Sequence, residues 1–246
     1  ADYWDRTDGN YYDCSVYIPL IIQDNMYTEL VVYPNFSPSS FDLHIELYDK
    51  SGKIIERFQS FLRIDSNDAK LIKINFKELI RNHNINVAEV KTAHIISEFK
   101  DKIPSRLKFG LDVGTQNSES KLPCNICFNA QLSNFNLENK PGSFHWSPIF
   151  KNDDCVVTIG NFSPIINYTK DANIELQFFN KNNSSPIIKN LHLRPNCEER
   201  ISSSDKQLSE FFDDNGWVTI KSNNPWILGY YFNFHPSGSV AGDHFF

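Results

Sequence analysis

"NFSP" occupies Asn35–Pro38 and is followed by "DLHIEL" at Asp42–Leu47; "NFSP" recurs at Asn161–Pro164 and is followed by "DANIEL" at Asp171–Leu176. The second asparagine lies 126 residues after the first, and Glu175 lies 129 after Glu46. The three-residue difference falls between the two motifs, where a loop takes an insertion at little cost. The matches continue in order. Pro19 of "IPLI" pairs with Pro148 of "SPIF", Leu62-Arg63 with Leu193-Arg194, and "KDKIPSRLKFG" (Lys100–Gly110) with "SNNPWILG" (Ser222–Gly229). Past that glycine the copies run 18 residues to Phe128 and 17 to Phe246, an expected aromatic anchor in each. Ordered matches of this kind predict an internal duplication. Copy one spans 14–130 and copy two 144–246, with an N-terminal arm over 1–13. The polar, Pro-Gly-containing "QLSNFNLENKPGS" of 131–143 is the linker.

Each copy reads as strands. In "LHIELY", Leu43, Ile45 and Leu47 share one face and His44, Glu46 and Tyr48 the other; Ile174, Leu176 and Phe178 repeat the inward set. "DKSG" (Asp49–Gly52) and "NKNNSS" (Asn180–Ser185) are turns. "FKELIRN" (Phe76–Asn82) and "DKQLSEFF" (Asp205–Phe212) each make about two helical turns. "TAHIISEF", "RLKFGLDV", "GWVTIK" and "WILGYYFNF" are later strands. Short strands, frequent turns and one brief helix per copy predict an all-β chain: two tandem antiparallel β-sandwich domains.

Composition narrows the partners. The net charge is −6 and no Lys/Arg block occurs, which argues against nucleic acid. The longest apolar run, "VYIPLII" (Val16–Ile22), is too short to span a bilayer. Five cysteines at unrelated spacings read as reduced thiols and point to a cytoplasmic setting, although a chain opening at Ala1 leaves room for a removed export signal.

The order strand, "N-x-S", strand "IELYD", turn, "LR" edge, short helix, "S-x-x-P" and last strand resembles the small β-sandwich of the sensory rhodopsin transducer family. That resemblance implies a non-enzymatic ligand- or partner-binding sandwich, often oligomeric. Duplication and the "CNICF" and "GDHFF" tails depart from the pattern.

Candidate sites follow. "CNIC" (Cys124, Cys127) has the spacing of half a zinc site, yet no second pair exists, so both are expected to pack as buried free thiols and no cofactor is implied. Glu46 and Glu175 are repeat-equivalent carboxylates, each expected to face solvent. "DDNG" (Asp213–Gly216) lacks the downstream glutamate of a calcium loop and reads as an Asx-type turn. The C-terminal segment holds most of the polar and aromatic chemistry: His235, Asp243 and His244, with Trp226, Tyr230 and Tyr231 upstream and His145 and Trp146 opening copy two. These are expected to line a shallow ligand pocket.

Three functions are consistent with these residues. The first is a non-catalytic recognition or scaffold protein presenting aromatic-rich loops to a glycan or protein partner. The second is a metal-dependent enzyme using His145, His235, Asp243 and His244. The third is an assembly protein, a homo-oligomer acting through sheet edges.

Overall fold

The computed structural model describes residues 3–5, 13–35, 38–104, 107–116, 122–132, 141–151, 154–165, 167–182 and 185–246. The chain divides into two compact units, the first holding the described residues up to Val113 and the second most of those from Asn139 onward.

In the first, the order is β1 (Tyr3–Asp5), β2 (Cys14–Pro19), β3 (Met26–Val32), β4 (Phe41–Tyr48), β5 (Ile54–Ile64), β6 (Ile72–Asn75), α1 (Phe76–Asn82), β7 (Thr92–Phe99), β8 (Lys102–Pro104), β9 (Lys108–Thr115), β10 (Cys124–Asn129) and β11 (Gln131–Leu132). They form sheets β11-β2-β7-β4-β5 and β10-β9-β3-β6, with β1 paired to β8. The second copy runs β12 (Ser143–Ile149), β13 (Asp154–Asn161), β14 (Ala172–Asn180), β15 (Ile187–Leu193), β16 (Glu198–Ser202), α2 (Lys206–Phe211), β17 (Gly216–Ser222), β18 (Ile227–Phe234) and β19 (Val240–His244). Its sheets are β12-β17-β14-β15 and β16-β13-β18-β19. Strand for strand, these are the orders β2-β7-β4-β5 and β6-β3-β9-β10 of copy one, with the helix at the same point of the chain. The architecture is a duplicated antiparallel β-sandwich.

The alternating faces are as expected where one side meets the core. Leu43, Ile45, Leu47, Leu176 and Phe178 are fully buried, and Ile174 nearly so. Both helices fall within the segments expected for them, α1 over Phe76–Asn82 and α2 over Lys206–Phe211; the Asn75 side chain caps α1 by accepting from the Glu78 N–H at 3.1 Å. A lysine ties the helix to a neighbouring segment in each copy, with the roles reversed. Lys77 of α1 donates to the Met26 carbonyl at 2.9 Å, whereas Lys151, before β13, donates to the Ser209 carbonyl of α2 at 2.7 Å.

The "NFSP" asparagines explain their own repetition. Asn35 Nδ2 donates to the Ser39 and Asp65 carbonyls at 3.3 and 2.9 Å, and Asn161 Nδ2 to the Lys170 and Leu193 carbonyls at 2.9 and 3.1 Å. In both copies the side chain locks the approach to the β4-type strand onto the end of its hairpin partner. Neither residue is a surface sequon, because both are buried.

The structure departs from the expected layout at five points. With Glu46 aligned on Glu175, the ladders place Pro19 opposite Thr92 and Trp146 opposite Thr219, so Pro19 corresponds to Trp146, two residues before Pro148. The buried aromatic closing copy two is Phe245, while Phe246 is exposed. Within the expected linker, Gln131 and Leu132 pair with β2 and Ser143 opens β12; 133–140 lie outside the described residues. Of the expected arm, Tyr3–Asp5 forms β1. On β10 the burial alternates, so Cys124 is buried and Cys127 exposed. Three residues apart on a strand, the thiols point to opposite faces and cannot share a metal. None of the five cysteines is in a disulfide. Among the described residues, no helix is long and apolar enough to cross a membrane.

Candidate ligand-binding face

On β12-β17-β14-β15 the side chains that leave the core form cross-strand rows. One row is Phe144–Lys221–Glu175–Asn190, the next Trp146–Thr219–Gln177–Ile188, and Trp217 and Phe179 stand opposite each other in a third. Phe144 is 64% exposed, Ile188 54%, Phe246 48%, Trp146 44% and Trp217 41%. Large apolar side chains gathered on one exposed face are unusual in a folded domain and mark a contact surface. The rings are paired rather than loose. Trp146 stacks on Phe246 with centroids 5.0 Å apart, and Trp217 on Phe179 at 5.4 Å, nearly parallel. The first stack is fixed by backbone: beyond β19 the chain crosses to β12, and Trp146 and Phe246 exchange N–H···O bonds of 3.0 and 3.2 Å.

Beside the rings the same face is polar. An open groove of about 620 Å³ is lined by Asn173, Glu175, Asn190, His192, Lys221 and Asn223, with Leu191 among its apolar residues. Gln177 donates to Glu175 at 2.9 Å, and His192 is oriented by Asn173 and Asp171 at 2.9 and 3.0 Å. Glu175 therefore faces solvent, as expected.

Glu46 does not. Its row is Tyr17–His94–Glu46–Arg57, and all but Arg57 are largely buried. Tyr17 stacks on His94 with centroids 3.9 Å apart. Tyr48 Oη and Arg57 Nε donate to the carboxylate at 2.5 and 2.9 Å, and His94 Nδ1 approaches it at 3.5 Å. The hydrogen bond from His94, with Tyr48 and Arg57, holds Glu46 down to about 2 despite burial. Burial pushes His94 below the usual imidazole range. Alternation placed Glu46 opposite the core face, and the expectation of solvent assumed that only one face of β4 is covered.

Both depressed values act in the same direction. Below its ordinary value each group takes up a proton more readily in the unfolded chain, so stability is complete above about pH 6.5 and falls as pH falls. Glu46 contributes from its ordinary 4.5 down to about 2. By pH 3 that group alone has cost about 2 kcal/mol. Urea unfolding at pH 7, 5 and 3 checks this: Glu46→Gln should show a visibly smaller loss between pH 5 and 3 than wild type. An identical loss would remove Glu46 from the acid response.

The residues expected to share a pocket separate into three groups. His145, Trp146, Tyr231, Asp243 and His244 gather where β19 ends. Tyr231 and His244 ring centroids lie 6.4 and 6.1 Å from Phe246, His145 lies 6.1 Å from Phe245, and Asp243 sits opposite Tyr231. His244 is tied locally, its Nδ1 to the Phe245 carbonyl at 2.9 Å and its N–H to Asp243 at 2.8 Å. Trp226 and Tyr230 are buried, and burial raises the Tyr230 phenol; neither can line a surface pocket. His235 closes the β18–β19 turn, bonded to Ser237 and Ser239, four residues from Tyr231 along an extended strand. His145, His235, Asp243 and His244 are thus not one ligand set. Among the described residues, no three His, Cys, Asp or Glu side chains are placed to hold a metal. "DDNG" is a bend that runs into β17 at Gly216, with the Asn215 N–H donating to the Asp214 carboxylate at 2.8 Å, and no Asx-type bond two residues on is found there among the described residues. Of the eight named residues, only Trp146 belongs to the exposed rows. Phe144, Phe179, Trp217, Glu175 and Asn190 join it through register, which no local motif signals. The aromatic surface lies on strands, where loops were expected.

No protein-family model and no curated protein matches the chain. Among solved structures it is similar to the pilus backbone protein RrgB of Streptococcus pneumoniae, at 13% identity over 94% of this chain and 78% of that one, with a TM-score of 0.21. It is also similar to a variant of the major pilin of Streptococcus pyogenes, at 7% identity over 96% and 98%, with a TM-score of 0.24. Similarity at that level carries no functional inference.

Proposed function

We propose that the protein is a non-catalytic recognition protein that binds carbohydrate through the outer face of β12-β17-β14-β15. The observation that carries this reading is the exposed pair of ring stacks, Trp146–Phe246 and Trp217–Phe179, beside a groove of amide and carboxylate side chains. A sugar ring offers an apolar C–H face to an aromatic ring and a rim of hydroxyls to polar neighbours. Here Thr219 and Gln177 follow Trp146 along one row, and Lys221, Glu175 and Asn190 follow Phe144 along the next. A protein partner would favour a continuous apolar centre with a polar rim, which interleaved rows do not provide.

Binding of the purified chain to a glycan array, followed by tryptophan fluorescence with the glycans retained, tests this. Trp146→Ala and Trp217→Ala should each weaken binding about tenfold or more. Both side chains are partly exposed, so the far-UV spectrum should not change. Retention of no glycan by the wild type, or unchanged affinity in both variants, would overturn the reading.

A further inference from the structure

We infer that the ligand is an uncharged, extended polysaccharide segment lying along the strands, with the aromatic stacks and the polar groove as successive subsites; this rests on the carbohydrate reading above. The rows give the dimension. Phe179 and Asn173 stand six residues apart on β14, with Glu175 and Gln177 between them on the same face. At about 3.3 Å per residue the face extends roughly 20 Å along the strand. A single sugar ring cannot touch Trp217 and Asn173 together. Among the described residues the groove is open, so an internal segment of a chain can lie along it.

The groove also argues for neutrality. Lys221 and Glu175 face each other in register, so their charges offset, and its remaining polar lining is chiefly amide, from Asn173, Asn190 and Asn223. Amides both donate and accept, which suits vicinal hydroxyls that do the same. A sulfated or carboxylated chain would bring its anions beside Glu175 with one offsetting cation.

The test uses the full chain with neutral oligosaccharide ladders of one to six units from β-glucan, mannan, xylan and chitin, and a hyaluronan hexamer as the charged control. Affinity for a bound neutral series should rise about tenfold or more between two and six units. In Glu175→Gln combined with Asn190→Ala, affinity for the hexamer should drop about tenfold, and the gain between two and six units should shrink with it. The two-residue change lies on an exposed face, and its unfolding midpoint serves as the folding control. Equal affinity for dimer and hexamer, or preference for hyaluronan, overturns the inference and leaves the carbohydrate reading standing. No binding to any sugar of any length removes both.

Discussion

Asn161→Ala is expected to lower stability by about 3 kcal/mol. The side chain is fully buried and makes three hydrogen bonds: Nδ2 donates to the Lys170 and Leu193 carbonyls, and Oδ1 accepts from Asn224 Nδ2 at 3.2 Å. Alanine removes all three and offers no replacement. The Lys170 carbonyl keeps a second donor in Asn224, and Asn224 Nδ2 keeps the Lys170 and Asp171 carbonyls as acceptors, so the main loss is the bond to the Leu193 carbonyl. Each orphaned buried group costs about 1–3 kcal/mol, more than the net value of the bond it had made. Asn35→Ala, which loses the bonds to the Ser39 and Asp65 carbonyls, should cost about 2 kcal/mol. Urea midpoints at unchanged m-value measure both. A loss below about 1 kcal/mol for Asn161→Ala would mean that water or backbone relaxation satisfies those groups, and "NFSP" would then need another explanation.

This asparagine also shows what was legible in the residues. A buried amide that locks two segments cannot be replaced without losing its bonds to their carbonyls, which accounts for the asparagine at the same point of both copies; Phe36 and Ser37 lie outside the described residues. Leu43, Ile45 and Leu47 were legible for a similar reason, since a strand facing a core must alternate. What stayed hidden depends on register. Tyr17, His94, Glu46 and Arg57 come from four strands, and nothing local says that they stand in one row. The same holds for Phe144, Trp217 and Glu175. Trp146 was singled out for its chemistry, but its neighbours on the face could be named only once the ladders were known. His235 and Trp226 were misplaced because proximity in sequence stood in for proximity in space, and a strand carries residues apart at about 3.3 Å each.

The duplicated sheet has taken two courses. At the position where copy one carries the Tyr17–His94–Glu46–Arg57 network, buried but for Arg57, copy two carries Phe144–Lys221–Glu175–Asn190, with an exposed ring and an open groove. One carboxylate is committed to internal hydrogen bonds, which buries it and ties its charge to pH. The other accepts from a single neighbouring amide and keeps acceptor capacity toward solvent. The fold supplies the same row twice, and only the second is free for a ligand. That difference is the reason for placing the recognition face in copy two.

Gly229→Ala is the second large effect expected, about 3 kcal/mol. A Cβ built at Gly229 would lie 2.0 Å from Cε2 of Phe245 and 2.3 Å from the Thr158 carbonyl oxygen. The ring belongs to the core of copy two, and the carbonyl is backbone of the paired strand β13, so neither can withdraw cheaply. The matching glycine of copy one meets softer surroundings: a Cβ at Gly110 would approach the Tyr33 hydroxyl at 2.7 Å, the far end of a side chain that can swing away. Gly110→Ala should therefore cost about 1 kcal/mol or less. The two clashes at Gly229 can be separated by a double-mutant cycle with Phe245→Ala. With the ring and the carbonyl contributing comparably, Gly229→Ala should lose about half of its penalty in the Phe245→Ala background, the remainder being the clash with Thr158. An undiminished penalty would assign the whole effect to backbone. A penalty below about 1 kcal/mol for Gly229→Ala alone would mean that Phe245 can be repacked, so that the last strand is not held by this ring against this glycine.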